Sequence, residues 1–328
     1  MSGMPGYAAA TERAAWCDAS DRVLLDFTGP KVAETLNGLL TNDVAGLAPG
    51  TGQYAAALTP KGKVIADLRV FAHGGDRFIV DASAAAGPPL LAMLRKFVNP
   101  RLAKYVDLSA GSCTIRVAGP DAGRVVAAAT GVSRDALDAL AAYAIAVGTI
   151  AGTPVRVVRA PDLGVPCFDV FGDAGARDAI VAAVVAAGAE PLDAASADVL
   201  RIEAGWPRFG VDFDENVLAQ EAGIDRLGGI SFDKGCYTGQ ETVARVHFRG
   251  HVNRTLRGLR SGTPLPPGAE IHAPDGKPVG TVRSSAVSPR LGPVALAFVR
   301  REVADGDAVS VAGGAGPIPA TVATLPFA

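Results

Sequence analysis

The chain has 328 residues, enough for about two domains of ~150 residues with room for a small third. Hydrophobic residues make up 49% and charged ones 20%, which excludes disorder as the overall state; a net charge of −2 gives no global electrostatic case for a polyanionic partner. Glycine (39) and proline (23) together are well above the usual ~12% share and imply many tight turns and short elements.

The N-terminal stretch Met1–Trp16 has neither a basic region nor an apolar core of the secretory type, so secretion is disfavoured. Apolar runs fall short of the ~18 residues that cross a bilayer, and a soluble, cytoplasmic protein is expected. The cysteines (Cys17, Cys113, Cys167, Cys236) are scattered without a C-x-x-C pair. Neither a disulfide framework nor a self-contained metal or cluster site is expected.

In chain order, a strand-like run Val23–Thr28 leads through Gly29-Pro30 into a helix with Val32, Leu36, Leu39 and Leu40 on one face. Strands at Lys63–Phe71 and Arg77–Ala82 and a helix at Pro89–Phe97 follow. The pattern then returns. Cys113–Ala118 leads through Gly119-Pro120 into an Ala/Val-rich helix, followed by strands at Val155–Arg159 and Cys167–Phe171. A helix near 174–187 closes this second copy, with Ala179–Ala187 expected to be buried. Phe78 lies 49 residues after Gly29, and Phe168 lies 49 after Gly119. The equal offset argues for duplication of an α+β unit, over about 20–97 and 112–187, against generic α/β patterning.

The segment 194–250 is of another kind. A helix near Asp198–Ala204 delivers Glu203 beside Gly205-Trp206-Pro207, and a loop rich in acids follows. Then comes Lys234-Gly235-Cys236-Tyr237-Thr238-Gly239-Gln240-Glu241. Cys236 differs from the other cysteines in its surroundings: a lysine and a flexible glycine precede it, whereas the others sit in apolar runs. A neighbouring ammonium and nearby backbone N–H groups favour a thiolate, and the alternative is a cysteine packed beneath a loop. Arg245, Arg249, Arg254, Arg257 and Arg260 form a basic stripe, either an anion seat or a solvated face balancing the acids upstream. His247 and His251 are four apart, but Gly250 and β-type neighbours argue against a helical metal pair. From about Arg254 short β-type runs alternate with turns: Glu270–His272, Val279–Ser284, Val294–Phe298, Ala308–Val311 and Ala320–Ala323. These predict a small β-barrel or sandwich.

The 234–241 motif, followed by Val243-Ala244-Arg245, resembles the signature of the YgfZ group within the folate-binding superfamily of the glycine-cleavage T-protein. Leu36–Val44, Leu58–Leu68, Arg201–Pro207 and Gln220–Gly223 are similar to further segments of that superfamily, in the same order. The resemblance implies an α+β fold: two ferredoxin-like units, possibly interleaved in sequence, and a C-terminal β-barrel form a three-domain ring around a tetrahydrofolate channel. The folate-binding region is expected over 1–250 and the barrel over 251–328.

By position, Glu203 corresponds to the carboxylate that holds the pterin ring, and Asp67 lies near the carboxylate of aminomethyl transfer. This chain reads Ala66-Asp67 where the T-protein branch reads Asp-Asp, which counts against that transfer chemistry. Glu203, Asp67 and Arg245 are thus the candidate folate contacts. Cys236 is the candidate functional thiol, with Lys234, Gly235, Tyr237, Gly239, Gln240 and Glu241 as its setting.

The implied function is that of a folate-binding accessory protein for synthesis or repair of iron–sulfur enzymes, supporting tRNA modification indirectly. Its partners would be iron–sulfur assembly or client proteins. The alternative is a tetrahydrofolate-dependent aminomethyltransferase or other one-carbon transferase. Direct nucleic-acid binding is disfavoured, because aromatic residues are nearly absent among the arginines. A monomer is expected, in that near-neutral charge and the absence of coiled-coil heptads leave nothing that demands assembly.

Overall fold

The computed structural model describes residues 4–327. Helix α1 (Pro5–Glu12) and strand β1 (Ala15–Asp18) come first. The first repeat runs β2 (Arg22–Thr28), α2 (Val32–Leu39), β3 (Gly52–Leu58), β4 (Val64–Ala72), β5 (Arg77–Ser83), α3 (Gly87–Phe97) and β6 (Lys104–Asp107). The second runs β7 (Ser112–Ala118), α4 (Ala122–Thr130), the short α5 (Arg134–Asp138), β8 (Ile145–Ile150), β9 (Thr153–Arg159), β10 (Cys167–Asp173), α6 (Arg177–Ala186) and β11 (Glu190–Pro191). Helix α7 (Ala194–Glu203) leads into a long irregular segment that ends at α8 (Gln240–Arg249). The chain finishes with β12 (Arg254–Ser261), β13 (Glu270–His272), β14 (Pro278–Ser288), β15 (Gly292–Arg300), β16 (Ala308–Val311) and β17 (Ile318–Ala323).

The internal repeat is visible as register. Phe27 opposes Phe78 across β2 and β5, and Val117 opposes Phe168 across β7 and β10. In each case the first partner sits two residues before the Gly-Pro turn. Those turns need glycine: Gly29 and Gly119 adopt φ of 141° and 128°. A Cβ on Gly119 would come within 2.5 Å of the Arg13 carbonyl oxygen. Beyond each turn a helix buries one apolar stripe, Val32, Leu36 and Leu39 in α2, and Val125 and Val126 in α4.

The first repeat forms an antiparallel sheet in the order β3-β4-β5-β2-β6; the second sheet has the order β11-β1-β7-β10-β9-β8. Strand β1 pairs with β7 as β6 pairs with β2, so a strand from ahead of the first repeat completes the second sheet. The units are interleaved in sequence. Strands β12 to β17 close a six-stranded barrel in the order β12-β15-β14-β13-β16-β17, filled by Val282, Ala295, Ala297, Val299, Val311 and Val322. Barrel and repeats are clasped at the end of α7, where Arg201 donates to Ser284 Oγ at 2.7 Å and the Phe327 N–H donates to the Glu203 carbonyl at 2.9 Å.

Three sequence expectations change. The Ala179–Ala187 stretch is a surface helix that buries Ile180 and Val184 and leaves Val185 exposed. Its small alanines make it apolar without making it interior. The residues around His247 are helical rather than β-type, because α8 continues to Arg249, although His251 lies beyond its end. Strands β3 and β8, at sheet edges, were not apparent from the sequence.

Candidate functional site

The two sheets and the segment after α7 enclose a cavity of about 410 Å³. Asp67 on β4 faces it, flanked by Tyr54 of β3 and by Trp206 and Phe209 of the irregular segment. Tyr54 Oη donates to Asp67 Oδ2 at 2.9 Å. The rings of Tyr54 and Trp206 pack on each other, 5.4 Å apart at 57°, beside this carboxyl on the cavity wall. Burial raises the proton affinity of Asp67 above the ordinary carboxylate range; the Tyr54 bond and the Arg22 cation oppose this, and the Asp81 charge adds to it. Burial, with the Asp67 charge second, raises the Tyr54 phenol well above its usual value, so Tyr54 stays a donor. A volume of this size, mostly apolar walls and one tuned acid are what a flat heterocyclic ligand requires.

An alternating chain of charges runs along the cavity, with Arg22, Arg69, Arg116 and Asp162 on its wall. Arg22 pairs with Asp81, and Arg69 donates from Nε to Asp81 at 2.7 Å and from Nη1 to Asp169 at 2.5 Å. Arg116 donates to both oxygens of Asp169, at 2.7 and 2.9 Å, and to Asp162 Oδ2 at 2.6 Å. Asp81 and Asp169 are 0% exposed. Arg69 and Asp81 belong to the first sheet and Arg116 and Asp169 to the second, so the chain of charges ties the two repeats together. Despite burial, the Arg116 and Arg69 guanidiniums hold Asp169 below the ordinary carboxylate range. These residues belong to none of the motifs described above. Their signal was a charge embedded in an apolar strand, as in Val64-Ile-Ala-Asp-Leu-Arg69-Val-Phe71 and Cys167-Phe-Asp169-Val-Phe171.

The segments singled out by motif converge beside β3. The Lys234 ammonium donates to the carbonyls of Asn37, Leu40 and Asn42 at 2.6, 2.9 and 2.8 Å, which caps the end of α2. Burial lowers its pKa to about 8. The Thr238 N–H donates to the Gly38 carbonyl at 3.1 Å. Gly239 opens α8 at φ 87°, where a Cβ would come within 2.7 Å of the Thr59 carbonyl oxygen. Gln240 begins the helix, and Glu241 is exposed in its first turn, where a negative charge suits the helix dipole. Tyr237 is buried, with its phenol raised to about 12 by burial, whereas Gly235 and Cys236 are exposed.

Cys236 is therefore reachable from solvent but lies outside the cavity wall. The expected help from Lys234 is corrected: that ammonium is committed to three carbonyls of the α2 end. Glu203 is also outside the wall. It is 7% exposed and accepts from Tyr7 Oη at 2.9 Å, from Ser288 Oγ and from Arg290 Nη2 at 3.4 Å, joining α1 and α7 to the barrel. These contacts tie Glu203 into the seam between α1, α7 and the barrel. Arg245 is exposed on α8, away from the cavity wall. The arginine stripe disperses, with Arg254 paired to Glu221, Arg257 paired to Asp305, and Arg260 over the Phe327 ring. Of the expected folate contacts, Asp67 alone reaches the cavity.

Residues 6–234 match the GCVT N-terminal domain, and residues 254–328 match the glycine cleavage T-protein C-terminal barrel domain. The chain is 32% identical over 318 residues to an aminomethyltransferase of Frankia alni, covering 94% of this chain and 84% of that protein. It is 29% identical over 334 residues to an aminomethyltransferase of Streptomyces coelicolor, covering 98% and 88%. Among solved structures, the crystal structure of glycine cleavage system aminomethyltransferase T from Bartonella henselae superimposes with a TM-score of 0.88 at 23% identity, covering 99% of this chain and 89% of that one. It shares the three-domain fold.

Proposed function

The chain belongs to the glycine cleavage T-protein family, and from that premise we propose that it is a tetrahydrofolate-dependent one-carbon transferase of the aminomethyltransferase kind, working in the Asp67 cavity. The family uses tetrahydrofolate, and the residues here fit such a ligand: Tyr54 and Trp206 offer tilted aromatic faces to a flat ring, beside a carboxyl of raised proton affinity. Tetrahydrofolate, when bound, supplies the nitrogen that accepts a one-carbon unit. Asp67 is placed to hold or release a proton at that nitrogen, with Tyr54 fixing the orientation of its carboxyl. Trp206 and Phe209 add apolar surface to the wall beside it.

The observation that carries this reading is the grip of Tyr54 on a cavity-facing Asp67. The test is tetrahydrofolate-dependent release of a one-carbon unit from an aminomethyl donor. Asp67→Asn is expected to lower the rate at least ~100-fold, the usual scale for a general acid or base. A rate unaffected by Asp67→Asn would remove the hypothesis.

A second reading is supported by the exposure of Cys236 within a YgfZ-like motif. In it the chain is a folate-binding accessory protein for iron–sulfur enzymes, with Cys236 as its working thiol, supporting tRNA modification through cluster-containing enzymes. Exchange of Cys236 for alanine in cells would then lower [4Fe–4S] enzyme activities while leaving folate binding intact. Undiminished activities would dismiss the thiol role.

A further inference from the structure

One edge of the first sheet is open. Strand β6 pairs with β2 on one side, Lys104 opposite Thr28 and Val106 opposite Asp26, and among the described residues no strand lies on its other side. An edge strand turns alternate N–H and carbonyl groups outward, which makes it a template for one more strand. The turn that leads into β6 is well braced. The Leu102 and Ala103 N–H groups donate to the Asn99 carbonyl at 2.9 and 3.0 Å, and the Arg101 N–H donates to Asn99 Oδ1 at 3.0 Å. The Leu102 carbonyl accepts from the Lys31 N–H at 3.0 Å. Apolar side chains nevertheless face solvent along this stretch: Phe97 is 47% exposed, Leu102 38% and Val106 59%. Tyr105, by contrast, packs its ring against that of Phe27, 5.2 Å away.

Charge is one-sided here. Arg95, Lys96, Arg101 and Lys104 are all exposed, and the sequence holds no carboxylate between Asp81 and Asp107. Among the described residues none of these cations is in an ion pair, and the Lys96 ammonium lies over the Phe97 ring, 5.2 Å from its centre. Asp107 is engaged by the N–H and hydroxyl of Ser109. A lysine on an edge ordinarily guards it against a like strand. A second copy of this chain would bring these cations against their own kind, whereas an acidic strand would meet opposite charge. We propose that β6 accepts an extended acidic segment of a partner protein as an additional strand of the first sheet. The partner's main chain bonds to the open edge of β6, its carboxylates face Arg101 and Lys104, and it covers Leu102 and Val106. None of these residues lines the Asp67 cavity, so this surface is independent of the folate reading.

The test is fluorescence anisotropy of a labelled synthetic peptide, with a Val-Thr-Val-Thr centre flanked by glutamates, titrated with the whole chain. Hydrogen exchange of the chain is followed alongside. Saturable binding is expected, with slower amide exchange over 104–107. A lysine-flanked counterpart of the peptide, and the Lys104→Glu chain with the original peptide, are each expected to lose about tenfold in affinity. Lys104 is exposed, so its replacement is expected to leave the melting temperature unchanged. A proline in the peptide centre removes a ladder donor and is expected to cost a similar factor. Indifference to the proline would overturn the proposal and leave charge attraction alone. Absence of peptide binding at millimolar concentration would also overturn it. Binding to phosphatidylglycerol vesicles in its place would assign the patch to a membrane surface, and a dimer dissolved by Val106→Glu would assign it to a second copy.

Discussion

At the residue scale, the chemistry rests on what surrounds Asp67. Its folded proton affinity is raised, so the fold favours the protonated form, and its contribution to stability is lost as pH rises through the raised value. The Tyr54 bond stabilises the anion, so Tyr54→Phe is expected to move the carboxyl limb of the rate–pH profile further upward. A downward movement would contradict this assignment. The candidacy of Asp67, which lines the cavity, was legible because its segment Leu58–Leu68 is similar to a segment of the superfamily. The hydrogen-bond partners of Glu203 were not, since Tyr7 and Ser288, its two hydroxyl donors, lie 196 and 85 residues away along the chain. The committed Lys234 ammonium was hidden for the same reason: proximity to Cys236 in sequence says nothing about where a four-carbon stem points.

At the element scale, the repeat was readable because Gly-Pro turns and apolar strands recur at a fixed offset, and the pairing of Phe27 with Phe78 and of Val117 with Phe168 gives that offset a physical meaning. Helix α8 was not, because it buries Val243 and otherwise shows a mixed polar face. The ion chain between the sheets belongs to this scale. Asp169 has a depressed proton affinity, so it contributes stability above the ordinary unfolded value near 3.9, and this is lost as pH falls through the lower folded value. Asp169→Asn leaves Arg69 and Arg116 short of a partner and is expected to cost about 3–5 kcal/mol near neutral pH. Urea unfolding of wild type and variant at pH 7 and pH 3 checks this: the difference is expected to shrink at the lower pH, and a constant difference would count against a charge-based role.

At the scale of the whole molecule, two interleaved sheets, helix α7 and the segment after it build the Asp67 cavity from parts far apart in the chain. Sequence patterning conveyed the α+β repeats and the β-rich tail, but not the transfer of β1 to the second sheet, because strand exchange leaves no periodicity of its own. If this cavity is a folate site, it receives the reduced ring beside Asp67, against the Tyr54–Trp206 pair. Calorimetric titration of the whole chain with tetrahydrofolate tests it most directly. Saturation at one ligand per chain is expected, with a negative heat-capacity change from burial of the ring. Absence of saturable binding at millimolar ligand would contradict it.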